Sequence, residues 1–415
     1  MTEVRAFCVG FYENAKQILK AIEVLPWCDT FYCEQRKGDP GGMPGTVENL
    51  QKLNINYKAY NTCLTFNDAF FNSLKLLSEN CYENGIQIYA NEHGYDKSVL
   101  QIEKHSPNVY AKYWNAMGPY WMDRFKLCVK KNPLSRRWIS IGSLRNDYLY
   151  KYFRWDKNRH NGKVLVLHEP DTDLCERDNI PLKPSSTTKR TIEILNELNI
   201  AFDFKLHPSW SNFVGNLYND NFLAEQSTGT GAKLWKPDNC MMVNIDLAEM
   251  RNYSLVIGCY SSALLDAVSM DIPVINVSFD YPTKLQSHWG PGEMGLFPRY
   301  SVNQLKEAIP KHLNLKMNYD FEKVKYFLGP LGKVSENYKE FIEKDFNHPK
   351  KQLGIYYFKW RKEFLFFRIN KNHAFSVSLD LARRLIRLIR KPSKIKKLAD
   401  INFLKMLLES IKRGS

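Results

Sequence analysis

The chain has 415 residues, of which 44% are hydrophobic and 25% charged, with a formal net charge of +15. This composition is typical of a globular protein long enough for two domains, and no apolar run reaches the ~20 residues that a membrane-spanning helix needs. The nine cysteines are scattered without a CxxC pair, which indicates neither a zinc site nor a disulfide framework and predicts reduced, structural thiols.

The positive charge lies almost entirely at one end. Residues 349–415 hold eighteen Lys and Arg against four acidic residues, whereas the preceding residues are nearly balanced. A neutral body with one cationic end does not resemble a surface that follows nucleic acid, so we expect no nucleic-acid partner. Residues 1–17 carry no basic region followed by an apolar segment and a cleavage site, which predicts a cytoplasmic protein.

The first half of the chain alternates strand-like and helix-like segments. Short apolar runs predict strands, and apolar residues spaced three and four apart predict helices. The predicted strands are 4–9, 30–33, 55–59, 86–90 and 138–141, and the predicted helices are 14–24, 122–130 and 148–153. The aromatic stretch 108–121 is interpreted as structural. This pattern predicts a Rossmann-like domain over residues 1–155, followed by a polar boundary at 154–162.

The second half repeats the pattern. The predicted strands are 163–167, 201–206, 241–244, 255–257 and 274–277, and the predicted helices are 188–198 and 263–270. The fold class is therefore α/β, with two Rossmann-like domains facing a cleft and the second domain over residues 163–330. The glycine-rich stretches 38–45 and 226–233 lack the spacing of phosphate-binding loops.

Residues 331–415 are predicted to form a helical crossover, near 338–346, and a basic helical tail. In 381–390, Leu381, Leu385, Leu388 and Ile389 share one helical face and arginines occupy the others; 401–412 repeats this pattern with lysines. Basic amphipathic helices of this kind bind anionic membrane surfaces. The alternatives are a helical pair packed on the domains with a solvated charged face, or RNA binding.

Chemically active side chains follow several predicted strands. Ligands of parallel sheets gather at the carboxyl ends of the strands. The strand 86–90 leads into Glu92, His93 and Asp96, the strand 163–167 into His168 and Glu169, and the strand 201–206, which contains Lys205, into His207 and Pro208. These residues are therefore candidates for catalysis and for binding.

The segment 254–277 reads as a strand, a serine turn, a helix and a second strand. Tyr260, Ser261 and Ser262 stand where the helix begins. A helix N-terminus favours an anion such as phosphate, whereas the simplest alternative is that Ser261 only caps the helix. Combined with His207, these groups would stabilise a departing phosphate, while Glu92, His93 or Asp96 would activate an acceptor hydroxyl.

Four short motifs carry a family resemblance: His93-Gly94, GSLRND at 142–147, His207-Pro208, and YSSxxxD at 260–266. Together they resemble GT-B-fold transferases of bacterial surface-polysaccharide assembly that use cytidine-nucleotide donors. One branch comprises the polysialyltransferases and related sialic-acid and Kdo transferases, and the other the CDP-glycerol glycerophosphotransferases. The first branch usually has an acidic pair where Glu92 and His93 stand, and the second an arginine soon after its His-Pro.

The resemblance implies a glycosyltransferase of capsule or lipopolysaccharide assembly that moves a sugar from a CMP-activated donor to a membrane-linked glycan. It implies no cofactor or essential metal and a place on the inner face of the cytoplasmic membrane. The alternatives are transfer of a polyol phosphate from a CDP donor, a non-catalytic nucleotide-binding scaffold, and a nucleotide-sugar epimerase. The predicted donor-binding residues are His168, Glu169, Lys205, His207, Pro208, Tyr260, Ser261, Ser262 and Asp266.

Overall fold

The computed structural model describes residues 3–10, 15–33, 50–65, 76–77, 80–81, 83–91, 111–128, 138–156, 158–167, 186–205, 241–243, 245–278, 290–313, 315–347, 354–360 and 363–369. These residues form two parallel six-stranded sheets with helices, and a separate two-stranded ribbon. The predicted α/β class with two Rossmann-like sheets is confirmed.

The first sheet lies within residues 6–139. Its strands are β1 (Ala6–Gly10), β2 (Cys28–Tyr32), β3 (Thr62–Thr65), β4 (Gln87–Asn91), β5 (Tyr113–Asn115) and β6 (Trp138–Ile139), in the order β2-β1-β3-β4-β5-β6. The helices that accompany it are α1 (Ala15–Glu23), α2 (Pro119–Cys128) and α3 (Leu144–Tyr152). β1 and β3 are buried along their whole length, because a parallel sheet covered on both faces leaves no solvent side.

The second sheet lies within residues 164–301. Its strands are β7 (Val164–Leu167), β8 (Phe202–Lys205), β9 (Met241–Val243), β10 (Leu255–Gly258), β11 (Val274–Ser278) and β12 (Arg299–Ser301). The helices are α4 (Ser186–Glu197), α5 (Ser262–Ser269), α6 (Gly290–Glu293) and α7 (Leu305–His312). The strand order is β12-β11-β10-β7-β8-β9. Successive strands are added on one side from β7 to β9 and on the other side from β10 to β12, so the order reverses between β7 and β10. This is the order of dinucleotide-binding sheets, whose ligands bind where the order reverses.

Several predicted elements differ from the structure. The predicted strand 55–59 contains a 3-10 turn, Tyr57–Ala59, after Asn54 at φ 49°, and the strand is Thr62–Thr65. The left-handed residue interrupts extended backbone, and Tyr57 then packs edge-on against Phe7. The short strands β5 and β12 were not predicted, because three residues of aromatic and polar character give no periodic signal.

Two further helices return the chain to the first sheet. They are α8 (Phe321–Leu328) and α9 (Val334–Asn347). The Trp121 Nε1 donates to the carbonyl of Phe327 at 2.8 Å, which fastens the end of α8 to α2. Between the two helices, Gly329 has φ 83° and passes so close to Gly142 that a Cβ there would overlap its Cα. The chain therefore crosses at a point that requires glycine.

Helix α9 belongs to the core of the first sheet. Tyr338 and Ile342 are fully buried in one cluster with Val4 and Cys8. The Tyr89 hydroxyl donates to Asp345 Oδ2 at 2.6 Å, and so links β4 to the last turn of α9. The predicted crossover near 338–346 is thus a helix that covers one face of the first sheet.

The segment after α9 departs from the predicted helical run. Strands β13 (Gly354–Trp360) and β14 (Glu363–Ile369) form an antiparallel ribbon, with Gly354 opposite Ile369 and Trp360 opposite Glu363. Aromatic side chains dominate both strands, and such residues favour extended backbone. The predicted amphipathic helices 381–390 and 401–412 lie outside the described residues. Among the helices that the structure describes, none combines the length and apolar character needed to cross a bilayer.

The described cysteines that carry free thiols are buried: Cys8, Cys28, Cys33, Cys63, Cys81 and Cys259. Burial raises the pKa of Cys8 to about 12. The unfolded chain releases the Cys8 proton near pH 9 and the folded chain does not, so the associated stability is present below pH 9 and is lost as the pH rises towards 12.

We expect raising the pH from 8 to 10 to cost about 1 kcal/mol of unfolding free energy through Cys8 alone. Urea unfolding of the unchanged chain and of Cys8→Ala at both pH values measures this term. Between pH 8 and pH 10, the unfolding free energy of the alanine variant should fall by about 1 kcal/mol less than that of the unchanged chain. Equal losses in the two chains would contradict the assignment of this pH dependence to Cys8.

Candidate functional site

Three neighbouring strands of the second sheet end together at its carboxyl edge. β7 lies between β10 and β8, and the register pairs Leu167 with Lys205, the last residues of β7 and β8. Ile257, one residue before the end of β10, pairs with Val166. Neighbouring strands lie about 4.8 Å apart. The ends of β7, β8 and β10 therefore lie side by side, at and next to the point where the strand order reverses.

The serine turn starts helix α5 at this edge. The Ser261 hydroxyl accepts a hydrogen bond from the backbone N–H of Ala263 at 3.3 Å, so Ser261 is the N-cap. Tyr260 is buried, whereas Ser261 and Ser262 are partly exposed. The capping role is thus observed, and the two serines also present hydroxyls at a helix N-terminus, where the dipole favours an anion.

A buried asparagine holds the turn between β10 and α5. The Asn276 Nδ2, on β11, donates to the carbonyl of Gly258 at 3.3 Å and to that of Cys259. Gly258 lies so close to Leu167 that a Cβ would sit 3.1 Å from that side chain. Sequence reasoning missed Asn276, although a lone amide within the apolar run 274–277 is a usable signal, since buried amides require partners.

Lys205 contributes a buried cation at the same edge, two strands away from the turn. It is 6% exposed at the end of β8. Burial lowers the pKa of its ammonium group, and the carboxylates of Asp266 and Asp246 act in the opposite direction. A buried ammonium gains free energy from any further anion that approaches it. Lys205 is therefore suited to hold a phosphate at this edge.

Asp266 joins the two halves of the molecule. It is 1% exposed, and its Oδ1 lies 3.0 Å from Arg145 Nε and accepts from Asn146 Nδ2 at 2.9 Å. The Asn146 amide also donates to Ser269 Oγ at 2.8 Å. Burial raises the pKa of Asp266, and the Arg145 guanidinium opposes this shift. The described contacts of this carboxylate are thus with α3, and its contact with a donor stays a prediction.

The GSLRND motif forms the other side of this joint. The structure starts a helix at Leu144, with Ser143 as its N-cap, where the sequence predicted a loop up to residue 147. Asp147 accepts from the backbone N–H of Ser335 at 3.3 Å and pairs with Lys151 at 3.0 Å. A capping serine followed by polar residues is a helix-start signal, so the earlier start was predictable.

The catalytic candidates of the first sheet follow β4. Asn91, its last residue, accepts from Asn115 Nδ2 at 3.1 Å, and the same amide donates to the carbonyl of Gly142 at 2.8 Å. Asn115 Oδ1 accepts from the N–H of Ile141 at 2.9 Å. The end of β4 is therefore tied to the GSLRND segment through Asn115, which sequence reasoning did not single out.

The structure describes five of the predicted site residues, and it places two of them, Lys205 and Asp266, near enough for the charge of each to shift the pKa of the other. The predicted site residues outside the described part of the chain are Glu92, His93, Asp96, His168, Glu169, His207 and Pro208. For these residues the structure gives only the ends of the strands that precede them in the sequence. In the part of the chain that is described, no group of three or more His, Cys, Asp or Glu side chains is arranged to hold a metal ion.

No protein-family model matches the chain, and no curated protein sequence matches it significantly. Solved structures similar to it include the UDP-GlcNAc 2-epimerase of Methanocaldococcus jannaschii in complex with UDP-GlcNAc and UDP (12% identity, 83% of this chain and 100% of that chain, TM-score 0.46). The wall teichoic acid polymerase TagF matches with 12% identity over 83% of this chain and 89% of that chain, at a TM-score of 0.45. The UDP-N-acetylglucosamine 2-epimerase from Rickettsia bellii matches with 12% identity over 83% and 96%, also at 0.45. Because these sequence identities and TM-scores are low, the assignment of function depends on this chain's own residues.

Proposed function

We propose that the protein is a glycosyltransferase that moves a sugar from a CMP-activated donor to a membrane-linked glycan of a bacterial surface polysaccharide. The observation that carries this proposal is the reversal of strand order between β7 and β10, with the partly exposed Ser261 and Ser262 at its edge. Sheets with this strand order bind nucleotides at that point. The donor phosphate would accept hydrogen bonds from these serines and from the first N–H groups of α5.

Departure of the nucleotide is the step that needs charge stabilisation. Lys205 at the end of β8 and His207, two residues further, would donate to the leaving phosphate as its negative charge grows. Glu169, which follows β7, would orient the donor. Glu92 or His93 after β4, with Asp96, would take the proton from the acceptor hydroxyl. With these roles, the acceptor would bind at the first sheet and the donor at the second.

The choice of a cytidine donor is supported by the four short motifs of the sequence. A polyol-phosphate transferase with a CDP donor shares them, and only its reaction adds phosphorus to the product. A scaffold would bind the nucleotide without releasing CMP. The basic residues of 349–415 support a peripheral position on an anionic membrane at the cytoplasmic face. The proposed chemistry needs neither a metal nor a cofactor, and it involves no nucleic acid.

Binding of cytidine nucleotides tests the proposal most directly. CMP or CDP at one hundred times its dissociation constant should stabilise the protein by about 2.7 kcal/mol, visible as a rise in the melting temperature. UDP and GDP at the same concentrations serve as controls. Stabilisation by UDP or GDP alone would contradict the cytidine assignment, and no stabilisation by any of the four nucleotides would contradict nucleotide binding at this site.

Lys205→Met locates the binding within this site. We expect it to weaken CMP binding roughly tenfold or more, because a hydrogen bond to a charged group contributes about 1.5–3 kcal/mol. Lys163→Met is the matched control, since Lys163 precedes β7 at the opposite edge of the same sheet and pairs with Asp203 at 3.0 Å. Isothermal titration measures both. Equal affinity in the Lys205 variant and the control would remove Lys205 from the donor site.

A further inference from the structure

An open groove of about 920 Å³ lies at the amino-terminal edge of the first sheet. Its floor contains Val4 and Ala6, at the start of β1, and Trp27, just before β2. Helices α3 and α9 form one wall. We call this the edge groove. The candidate site follows the carboxyl ends of strands, so the edge groove is separate from it.

The edge groove carries exposed apolar side chains. Val24 is 43% exposed and Tyr152 is 55% exposed, and both line it. Only five large hydrophobic side chains are exposed among the described residues, and these are two of them. Clustered exposed apolar side chains mark surfaces that another segment covers.

The charges around these side chains are mainly negative. Among the described residues that line the edge groove, six are carboxylates and three are cations. Glu336 and Glu340 are exposed on α9, and each already has a lysine close by. The lining charges are Glu3, Asp29, Asp147, Glu336, Glu340 and Glu343, and Arg5, Lys151 and Lys339. A partner that fits must therefore be apolar on one side and rich in cations on the others.

The chain itself supplies such a segment. Residues 381–390, LARRLIRLIR, contain four arginines and no acidic residue, with leucines at 381, 385 and 388. As a helix this segment is about 15 Å long. Helix α9 lines the groove as far as Glu343 and ends one turn later at Asn347, and 68 residues follow. The chain that leads to the basic segment therefore leaves α9 about one turn beyond the wall of the groove.

We propose that the edge groove is the docking site for residues 381–390 of the same chain. The leucines contact Val24 and Tyr152, and the arginines pair with the carboxylates of α9. The same basic face cannot bind an anionic membrane while it is docked. Docking therefore withholds the tail from membranes, and release of the tail exposes it.

Photo-crosslinking of the full chain tests this docking. In Leu388→p-benzoylphenylalanine, irradiation should join position 388 to residues 24–27 or 148–152 of the same chain. When Glu336→Lys and Glu340→Lys are added to this variant, the yield of the adduct should fall roughly tenfold. The exposed ion pairs between the arginines and these two positions of α9 then become repulsions. The matched control is Glu307→Lys with Glu322→Lys, which reverses two exposed charges on α7 and α8, away from the groove. Its yield should not change.

Three results would overturn the proposal. The first is an adduct that misses the groove, or whose yield survives charge reversal on α9. The second is an adduct that joins two chains when isotopically heavy and light proteins are mixed, because a second copy would then fill the groove. The third is that position 388 crosslinks only to phosphatidylglycerol vesicles, and that the α9 variant and its control bind these vesicles equally well. Docking predicts instead that the α9 variant binds such vesicles more tightly than the control.

Discussion

Replacing Asp266 by alanine should lower the free energy of unfolding by about 3–5 kcal/mol. Asp266 is buried between α5 and α3, and its carboxylate lies 3.0 Å from the Arg145 Nε. Its removal leaves the buried guanidinium without this counter-charge and leaves the Asn146 amide with one acceptor fewer. Urea unfolding of the full chain measures the loss.

Asp246→Ala is the matched control. Asp246 also bridges the two halves, through Lys20 on α1, but this pair is exposed to solvent. Exposed pairs of this kind contribute about 0–1 kcal/mol, and the cap that Asp246 also forms on the 3-10 helix Leu247–Asn252 contributes about 1 kcal/mol. In Asp266→Leu combined with Arg145→Met, most of the stability should return, because burial of an ion pair costs about as much as the pair regains. A loss in Asp266→Ala no larger than in Asp246→Ala would contradict the role of Asp266 as a buried joint.

Turnover should fall at least ~100-fold in His207→Ala, the scale found when one donor to a developing oxyanion is removed. In the sequence His207 comes two residues after the end of β8, a strand that pairs with β7. Release of CMP in the presence of acceptor measures kcat and KM separately. The loss should appear in kcat, because the phosphate gains charge only as the bond to the sugar breaks.

His160→Ala controls for the general loss of a histidine. The His160 ring stacks on Trp155, and its Nδ1 lies 3.0 Å from Ser254 Oγ, at the amino-terminal edge of the second sheet. Its turnover should stay near that of the unchanged chain. Near-normal turnover in His207→Ala would remove His207 from the proposed mechanism and leave the nucleotide-binding prediction to be judged by itself.

The sequence allowed the second sheet to be predicted almost strand by strand. The runs 164–167, 255–258 and 274–278 are short, apolar and bounded by turn residues, which is the signal of buried parallel strands. The first sheet was harder. β5 is Tyr113–Asn115, three residues within an aromatic stretch, and hydrogen bonds to its neighbours, which no local pattern encodes, make it a strand.

The candidate site was predictable to the level of strand ends. Because parallel strands share a carboxyl edge, the ends of β7, β8 and β10 had to lie along one edge once the sheet formed. The joint at Asp266 was not predictable in the same way. Arg145 and Asn146 precede it by about 120 residues, and the distance between such residues depends on how two sheets pack. The ribbon at 354–369 was missed because it lies within the stretch that was predicted to be helical.

The position of α9 has a consequence for how the protein is made. Tyr338 and Ile342 complete a core that also contains Val4 and Cys8, yet a ribosome adds them almost 190 residues after the end of α3 at Tyr152. At about 5–20 residues per second, the amino-terminal sheet waits roughly 10–40 s for its covering helix. During that interval an apolar face of the nascent chain is open to water, so we expect it to require a chaperone until synthesis passes residue 347.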